Sequence, residues 1–335
     1  MPEAATAAAT PTSSFALFLS ITLKVRCIGL TESTAAVRSS PLSHQTSTFS
    51  AASYAAFRPS YPPSLYNAVL AYHRGPRRQC LDLGCGPGIV AREMSKHFDR
   101  VLGTDPSAGM IKQSRASIDG EKQFANVEFC GGGAESTPSL GEGGVDMVVA
   151  GQAAHWFDYA KLWPEMKRLV RPEGTVAFWG YKDPVFVDFP EASQIMQHYL
   201  YDSRPGKLGS FWSMPGRSYV QDKLRIIQPP ASDWEDVRRV EYEPDTKGRH
   251  SGEGTLFMER RLTVGEMKGY LRTFSNYHEW ERVNPDRVAR TAGGTGDVID
   301  EMFEEAAKKT EWFRDEGNVV DIEWGSGLVM ARKKS

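Results

Sequence analysis

Two acids and a glycine-rich run are the residues of this chain best suited to hold a ligand. The run is Asp82-Leu83-Gly84-Cys85-Gly86-Pro87-Gly88, and Asp105 stands 17 residues after its last glycine. Glycines let a backbone turn sharply and pass close beneath a ligand. A carboxylate one strand away can accept both hydroxyls of a ribose. A glycine loop at the tip of one strand and an acid at the tip of the next make a nucleoside site. The pattern meets that condition. Gln79 to Leu83 reads as a buried strand, a helix follows from near Gly88 to His97, and Val101 to Thr104 reads as the second strand, ending at Asp105.

The spacing separates two kinds of cofactor. A dinucleotide fingerprint, G-x-G-x-x-G, needs a third glycine where this chain has Ile89. An NAD-dependent dehydrogenase is therefore disfavoured. The run resembles motif I of the class I S-adenosylmethionine-dependent methyltransferases. That resemblance implies S-adenosyl-L-methionine as cofactor, with Gly84, Gly86 and Gly88 beneath its methionine and ribose portions. It also implies Asp82 on the ammonium side, Asp105 on the ribose hydroxyls, and Pro106 and Met110 near the adenine. Gly133-Ala134-Glu135 matches the segment that flanks the adenine, but Gly133 stands where many relatives carry an acid. Glu135 is either its substitute or an exposed loop acid. Gln152 follows the fourth strand and joins the cofactor group.

Three further segments, around Phe57 to Pro62, Gln152 to Asp158 and Tyr270 to Tyr277, look like the branch holding the fungal trans-aconitate methyltransferases. This resemblance runs from about residue 54 to 333 and implies a small-molecule acceptor, methylated on a carboxylate or hydroxyl oxygen. The cofactor's sulfonium makes its methyl carbon electrophilic, so an acceptor held near 3 Å and in line is what the site must supply. A carboxylate is ionised at pH 7 and needs no base, whereas an alcohol does. His155 is the candidate base, an orienting group, or a structural imidazole. Trp156 is expected to wall the acceptor pocket, Arg58 and Arg272 to clamp an acceptor carboxylate, and Tyr54 and Tyr61 to form a lid. For Arg272 a salt bridge between segments is the competing reading.

The elements that must position these residues alternate strand and helix. A helix is expected over Pro63 to Tyr72, and Ser107 is a plausible N-cap for the next after strand two. Strands three to five are expected over Val127 to Cys130, Val145 to Ala150 and Thr175 to Trp179, with a helix from Tyr159 to Val170. The fold class is α/β: a doubly wound, mostly parallel, seven-stranded Rossmann-like sheet. Ligands then bind at the C-terminal strand edge, beside the topological switch point. Val319 to Trp324, Gly325-Ser326-Gly327 and Leu328 to Arg332 read as an antiparallel C-terminal hairpin. Residues 181–315 are too long for one crossover and are expected to contain an inserted substrate cap.

Residues 51–335 thus form the expected methyltransferase domain. Residues 1–50 are half Ala, Ser and Thr, with Glu3 and Glu32 their only acids. Their apolar stretch, Phe15 to Leu23, is too short to span a bilayer. A disordered tail or a weak mitochondrial targeting segment is expected there, and a cytoplasmic location for the enzyme. Forty basic against 42 acidic residues give a net charge of −2, which argues against a nucleic-acid partner. The four cysteines include no C-x-x-C pair, and no histidine stands at zinc spacing from them, so no metal is expected. A protein or RNA methyltransferase, or a non-catalytic binding protein of the same fold, are the alternatives.

Overall fold

A computed structural model describes residues 60–335. Its centre is one sheet in the order β3-β2-β1-β4-β5-β9-β6-β7. The parallel half comprises β1 (Gln79–Leu83), β2 (Arg100–Asp105), β3 (Val127–Gly131), β4 (Val145–Gly151) and β5 (Val170–Phe186). Of these, β1, β2 and β4 are short, mainly apolar runs buried on both faces along most of their length, as a sheet flanked by helices requires. The order reverses between β1 and β4, so the crevice of the switch point opens after Leu83 and Gly151.

Helices α1 (Pro63–Tyr72), α2 (Ile89–Met94), α3 (Ala108–Ala116) and α4 (Tyr159–Leu169) serve this half. Helix α1 starts with a proline at its first position, where no amide partner is needed, and buries Leu65, Tyr66, Val69, Leu70 and Tyr72. The Ser107 hydroxyl caps α3 by accepting from the Met110 N–H, and the Asp158 carboxylate caps α4 through Ala160. These elements match the sequence pattern to within one or two residues, except for α2. That helix stops at Met94, short of the expected His97.

The C-terminal third departs from expectation. Val319–Lys333 is one 15-residue strand, β9, and not a hairpin. It lies antiparallel to β5 from Thr175–Arg332 to Phe186–Ile322, and the pairing runs straight through Gly327 and Ser326. The glycines there answer a packing demand. A Cβ on Gly327 would stand 2.2 Å from the Lys223 carbonyl oxygen, and one on Gly325 would meet the Lys182 side chain. Strand β5 is also longer than expected. It begins at a bulge containing Glu173 at φ +61° and continues past its last pairing with β4, at Trp179, to Phe186.

Residues 181–315, the expected cap, extend the sheet. They supply β6 (Trp234–Glu243), which pairs with the free side of β9, and two short strands, β7 (Glu253–Gly254) and β8 (Glu259–Thr263). The last two bring the expected seven strands to nine. The same residues supply α5 (Pro190–Tyr201), α6 (Gly216–Gln221), α7 (Val264–Leu271), α8 (Ser275–Val283) and α9 (Val298–Lys309). Met196, Met267, Tyr270 and Met302 of these helices share one buried cluster with Trp179 and Trp324 of the sheet. These helices are therefore continuous with the core.

Candidate active site

The glycine loop is held from both sides. All three glycines have positive φ: +65° at Gly84, +52° at Gly86 and +81° at Gly88. A Cβ on Gly84 would stand 2.5 Å from the Ala153 Cβ, so the loop after β1 packs directly on the segment after β4. A Cβ on Gly86 would meet nothing within 4 Å, which leaves a clear face above the loop. Asp105, 9% exposed, ties this loop to the end of β2. Its Oδ2 accepts the Gly86 N–H at 3.0 Å and its Oδ1 the Ser107 N–H at 2.8 Å. Burial raises this carboxyl above its usual range, while the Ser107 and Gly86 amides pull it down. Two ionised oxygens offer about four acceptor positions, so about two remain for a ligand.

Asp82 sits under the loop in another condition. It is fully buried and neither carboxylate oxygen has a hydrogen-bond partner. Burial pushes its carboxyl well above the usual range, and the Ala91 amide opposes this without reaching hydrogen-bond geometry. An unmet acceptor pair beside an open glycine loop fits a ligand that brings a cationic donor. Asp82→Asn is accordingly expected to stabilise the ligand-free chain at pH 7 by on the order of 1–3 kcal/mol, because a neutral amide escapes the extra cost of burying a group that ionises in the unfolded chain. The sign follows from the raised pKa. Stability is fully present below the unfolded value near 4 and is lost as pH rises from there to the folded-state value, so the gain should vanish near pH 4. Chemical denaturation at the two pH values checks this.

Where β5 overruns β4, a cavity of about 160 Å³ opens. Its aromatic walls are Trp156, Tyr181, Trp212, Tyr270 and Phe274, and its polar lining includes Gln152, His155, Lys182, Asp183 and Arg217. His155 and Trp156 lie in a short turn after β4, their rings 4.7 Å apart. This turn adjoins Ala153, which touches Gly84, so the cavity and the glycine loop share a boundary.

The other sequence-derived candidates divide. Pro106 is exposed and Met110 half-buried, both directly after Asp105, and Ala134 is buried after β3. The Glu135 carboxylate accepts the Asp158 N–H at 2.9 Å, which joins the loop after β3 to the start of α4. The side-chain amide of Gln152 is engaged at both ends by the Tyr181 backbone, accepting its N–H at 2.7 Å and donating to its carbonyl at 2.9 Å. Tyr61 packs edge-on against Trp179 at 5.5 Å. Tyr54 and Arg58 lie outside the described residues.

Arg272 follows the second of its two sequence readings, the salt bridge between segments. Its guanidinium grips Asp297 at 2.7 and 2.9 Å and reaches Asp300 at 3.0 Å, with both acids buried. It joins α7 to α9 and is not among the residues lining the cavity. Sequence reading missed Asp183, Tyr201 and Arg217. They meet across 34 residues, and only the cluster Phe211-Trp212-Ser213-Met214-Pro215-Gly216-Arg217 carried a local hint of them. Among the described residues one group, His250, Glu259 and Glu323, brings possible metal-ligand atoms within 4.8 Å of one another. Its members are already engaged: Glu323 accepts from Tyr242 and the His250 N–H, and Glu259 pairs with His250 and Arg249.

A doubly wound sheet with a glycine loop after β1 and an acid after β2 defines a Rossmann-like nucleoside-binding enzyme. Comparison with known proteins gives its chemistry. Residues 81–178 match the family described as "Methyltransferase domain". The chain is 28% identical over 299 residues to the Saccharomyces cerevisiae protein named "Probable S-adenosylmethionine-dependent methyltransferase CRG1", covering 87% of this chain and 98% of that one. It is 25% identical over 282 residues to a Dictyostelium discoideum protein named as a methyltransferase, covering 84% and 92%. A solved structure from Anaeromyxobacter dehalogenans, described as "a Putative Type II Methyltransferase", superposes with a TM-score of 0.60 at 25% identity, covering 82% of this chain and 98% of that one. The protein is an S-adenosylmethionine-dependent methyltransferase, and its matched domain, relatives and fold support a place in class I. No helix of the described residues is long and apolar enough to cross a membrane.

Proposed function

We propose that this enzyme methylates an oxygen of a small-molecule acceptor, in the manner of the trans-aconitate methyltransferase-like branch. The observation that carries the reading is the aromatic-walled cavity of about 160 Å³ adjoining the glycine loop. A cavity on the order of 150 Å³ accommodates a benzene-sized ligand, whereas a protein or RNA acceptor needs an open groove. The near-zero net charge supports the same choice.

In this reading Asp82, Gly84, Gly86, Gly88 and Asp105 cradle the cofactor, with Pro106, Met110 and Ala134 on its adenine side. When bound, S-adenosylmethionine supplies an electrophilic methyl carbon. The chain's own part is to align the acceptor and exclude water. Trp156 and Trp212 wall the acceptor, and His155 orients it. Gln152 contributes by holding β5 against the end of β4.

Incubation with methyl-labelled cofactor and a panel of carboxylic acids, phenols and alcohols tests the reading. Methyl esters release methanol in base, whereas ethers and N-methyl products do not. Label found only on nitrogen, on sulfur or on macromolecules refutes it. With a carboxylate acceptor, His155→Gln should lower kcat/KM less than about tenfold, because removing a true general base costs 10²–10⁴-fold. Its pH–rate profile should match that of the unmodified enzyme.

A further inference from the structure

We infer that Arg217 is the residue that selects the acceptor, binding a carboxylate of the small molecule through the free edge of its guanidinium. This rests on the small-molecule reading above and names the chemical class. Arg217 lines the cavity with only 11% of its side chain exposed. Its Nε donates to the Tyr201 hydroxyl at 2.8 Å, and its Nη2 donates to Tyr201 and to Asp183 Oδ1. The Tyr201 hydroxyl in turn donates to Asp183 Oδ2. The guanidinium lies 4.0 Å from the centre of the Trp212 ring. One edge and one face are thereby locked, so the group is oriented before any ligand arrives. Nη1 makes no hydrogen bond among the described residues.

That remaining edge can only donate, so its partner must present oxygen or nitrogen lone pairs. Charge chooses among such partners. Both oxygens of Asp183 are turned to Arg217 and Tyr201. Lys182 also lines the cavity and leans outward to Glu243. Glu243 meets the Lys182 charge, so the choice rests on the guanidinium edge itself, whose bond to an anionic oxygen is about twice as strong as its bond to a neutral amide or hydroxyl. The aromatic walls suit the carbon skeleton that carries it.

The test measures binding without turnover. Trp156 and Trp212 line the cavity, so tryptophan emission of the full-length enzyme reports its occupancy. Benzoate and benzamide are the matched charged and neutral probes. The unmodified enzyme is expected to bind benzoate in preference to benzamide. Arg217→Gln should weaken benzoate at least about tenfold, the loss expected for a charge-assisted hydrogen bond. Arg217→Lys should retain part of the affinity. S-adenosylhomocysteine binding, followed by calorimetry, should be alike in all three and reports an intact fold. Unchanged benzoate affinity in Arg217→Gln overturns the proposal. So does equal binding of benzamide, or an enzyme that binds S-adenosylhomocysteine but no benzoate. If Arg217→Gln loses S-adenosylhomocysteine binding, Arg217→Lys is held to the same comparison. Methylation on nitrogen would refute the oxygen-transfer reading and leave this result standing.

Discussion

Replacing Arg272 by alanine is expected to destabilise the enzyme by about 3–5 kcal/mol, the cost of stripping one partner from a buried ion pair. The guanidinium holds both oxygens of Asp297, a residue with no exposed surface, and one oxygen of Asp300, which is 1% exposed. These acids also form the capping box of α9, and the Tyr277 hydroxyl donates to Asp297 at 2.7 Å. Removing the cation leaves the Asp297 carboxylate in the core with only the Tyr277 hydroxyl and the Asp300 amide, and α7, α8 and α9 lose their common tie. Thermal or urea unfolding measures the loss. Acid adds a second signature. Burial pushes the Asp300 carboxyl up, but the Arg290 amide and the Arg272 guanidinium outweigh it and hold it down to about 2. A depressed carboxyl contributes stability above its unfolded value near 4, and that contribution disappears as pH falls through about 2. The unmodified enzyme should lose stability in that window, and Arg272→Ala should lose less there. An acceptor clamp would behave otherwise, raising KM and leaving the unfolding midpoint in place.

What the sequence disclosed, and what it withheld, follows from the range of each interaction. The glycine loop, Asp105 and the Ser107 cap are local devices, in which a strand end, a turn residue and a helix start follow one another along the chain. Their residue types are dictated within a few positions. The Gly325-Ser326-Gly327 triplet shows how such local logic fails. Glycines mark turns and also close approaches, and here the approaching atom belongs to Lys223, about a hundred residues earlier. Arg272 and Arg217 show the same limit for charge. Each guanidinium has a carboxylate partner 25 or 34 residues away. Only folding decides that Arg272 is enclosed between helices while Arg217 keeps an edge on the cavity. Strand β6 was hidden for a related reason. Its burial is mixed, with Trp234 and Tyr242 inside and the residues between them exposed or half-buried. It therefore lacks the continuous apolar signal of β1 or β4.

The largest effect on function is expected at Asp105. Asp105→Ala should weaken S-adenosylhomocysteine at least 100-fold in calorimetry and lower kcat/KM by a similar factor. Two contributions combine. Two charge-assisted hydrogen bonds to ribose hydroxyls, at about 1.5–3 kcal/mol each, already exceed the roughly 2.7 kcal/mol that corresponds to 100-fold. The same carboxylate holds the Gly86 and Ser107 amides, so its removal also loosens the loop that must lie beneath the ligand. Asp105→Asn separates the two. Its single amide oxygen can retain one of the backbone contacts, but its NH₂ must face the other N–H, and the charge toward the ribose is gone. An intermediate loss is expected. The pH dependence points the same way. Burial raises the Asp105 carboxyl, so it protonates at higher pH than an ordinary aspartate and then surrenders an acceptor position. Cofactor affinity should therefore fall in acid, beginning at a higher pH than an ordinary aspartate would cause, and it should fall less steeply in Asp105→Asn, which has nothing to titrate there. A folded Asp105→Ala enzyme that still bound S-adenosylhomocysteine within a few-fold of the unmodified protein would move the nucleoside site away from the ends of β1 and β2. The acceptor cavity, placed by its contact with that loop, would then lose its donor.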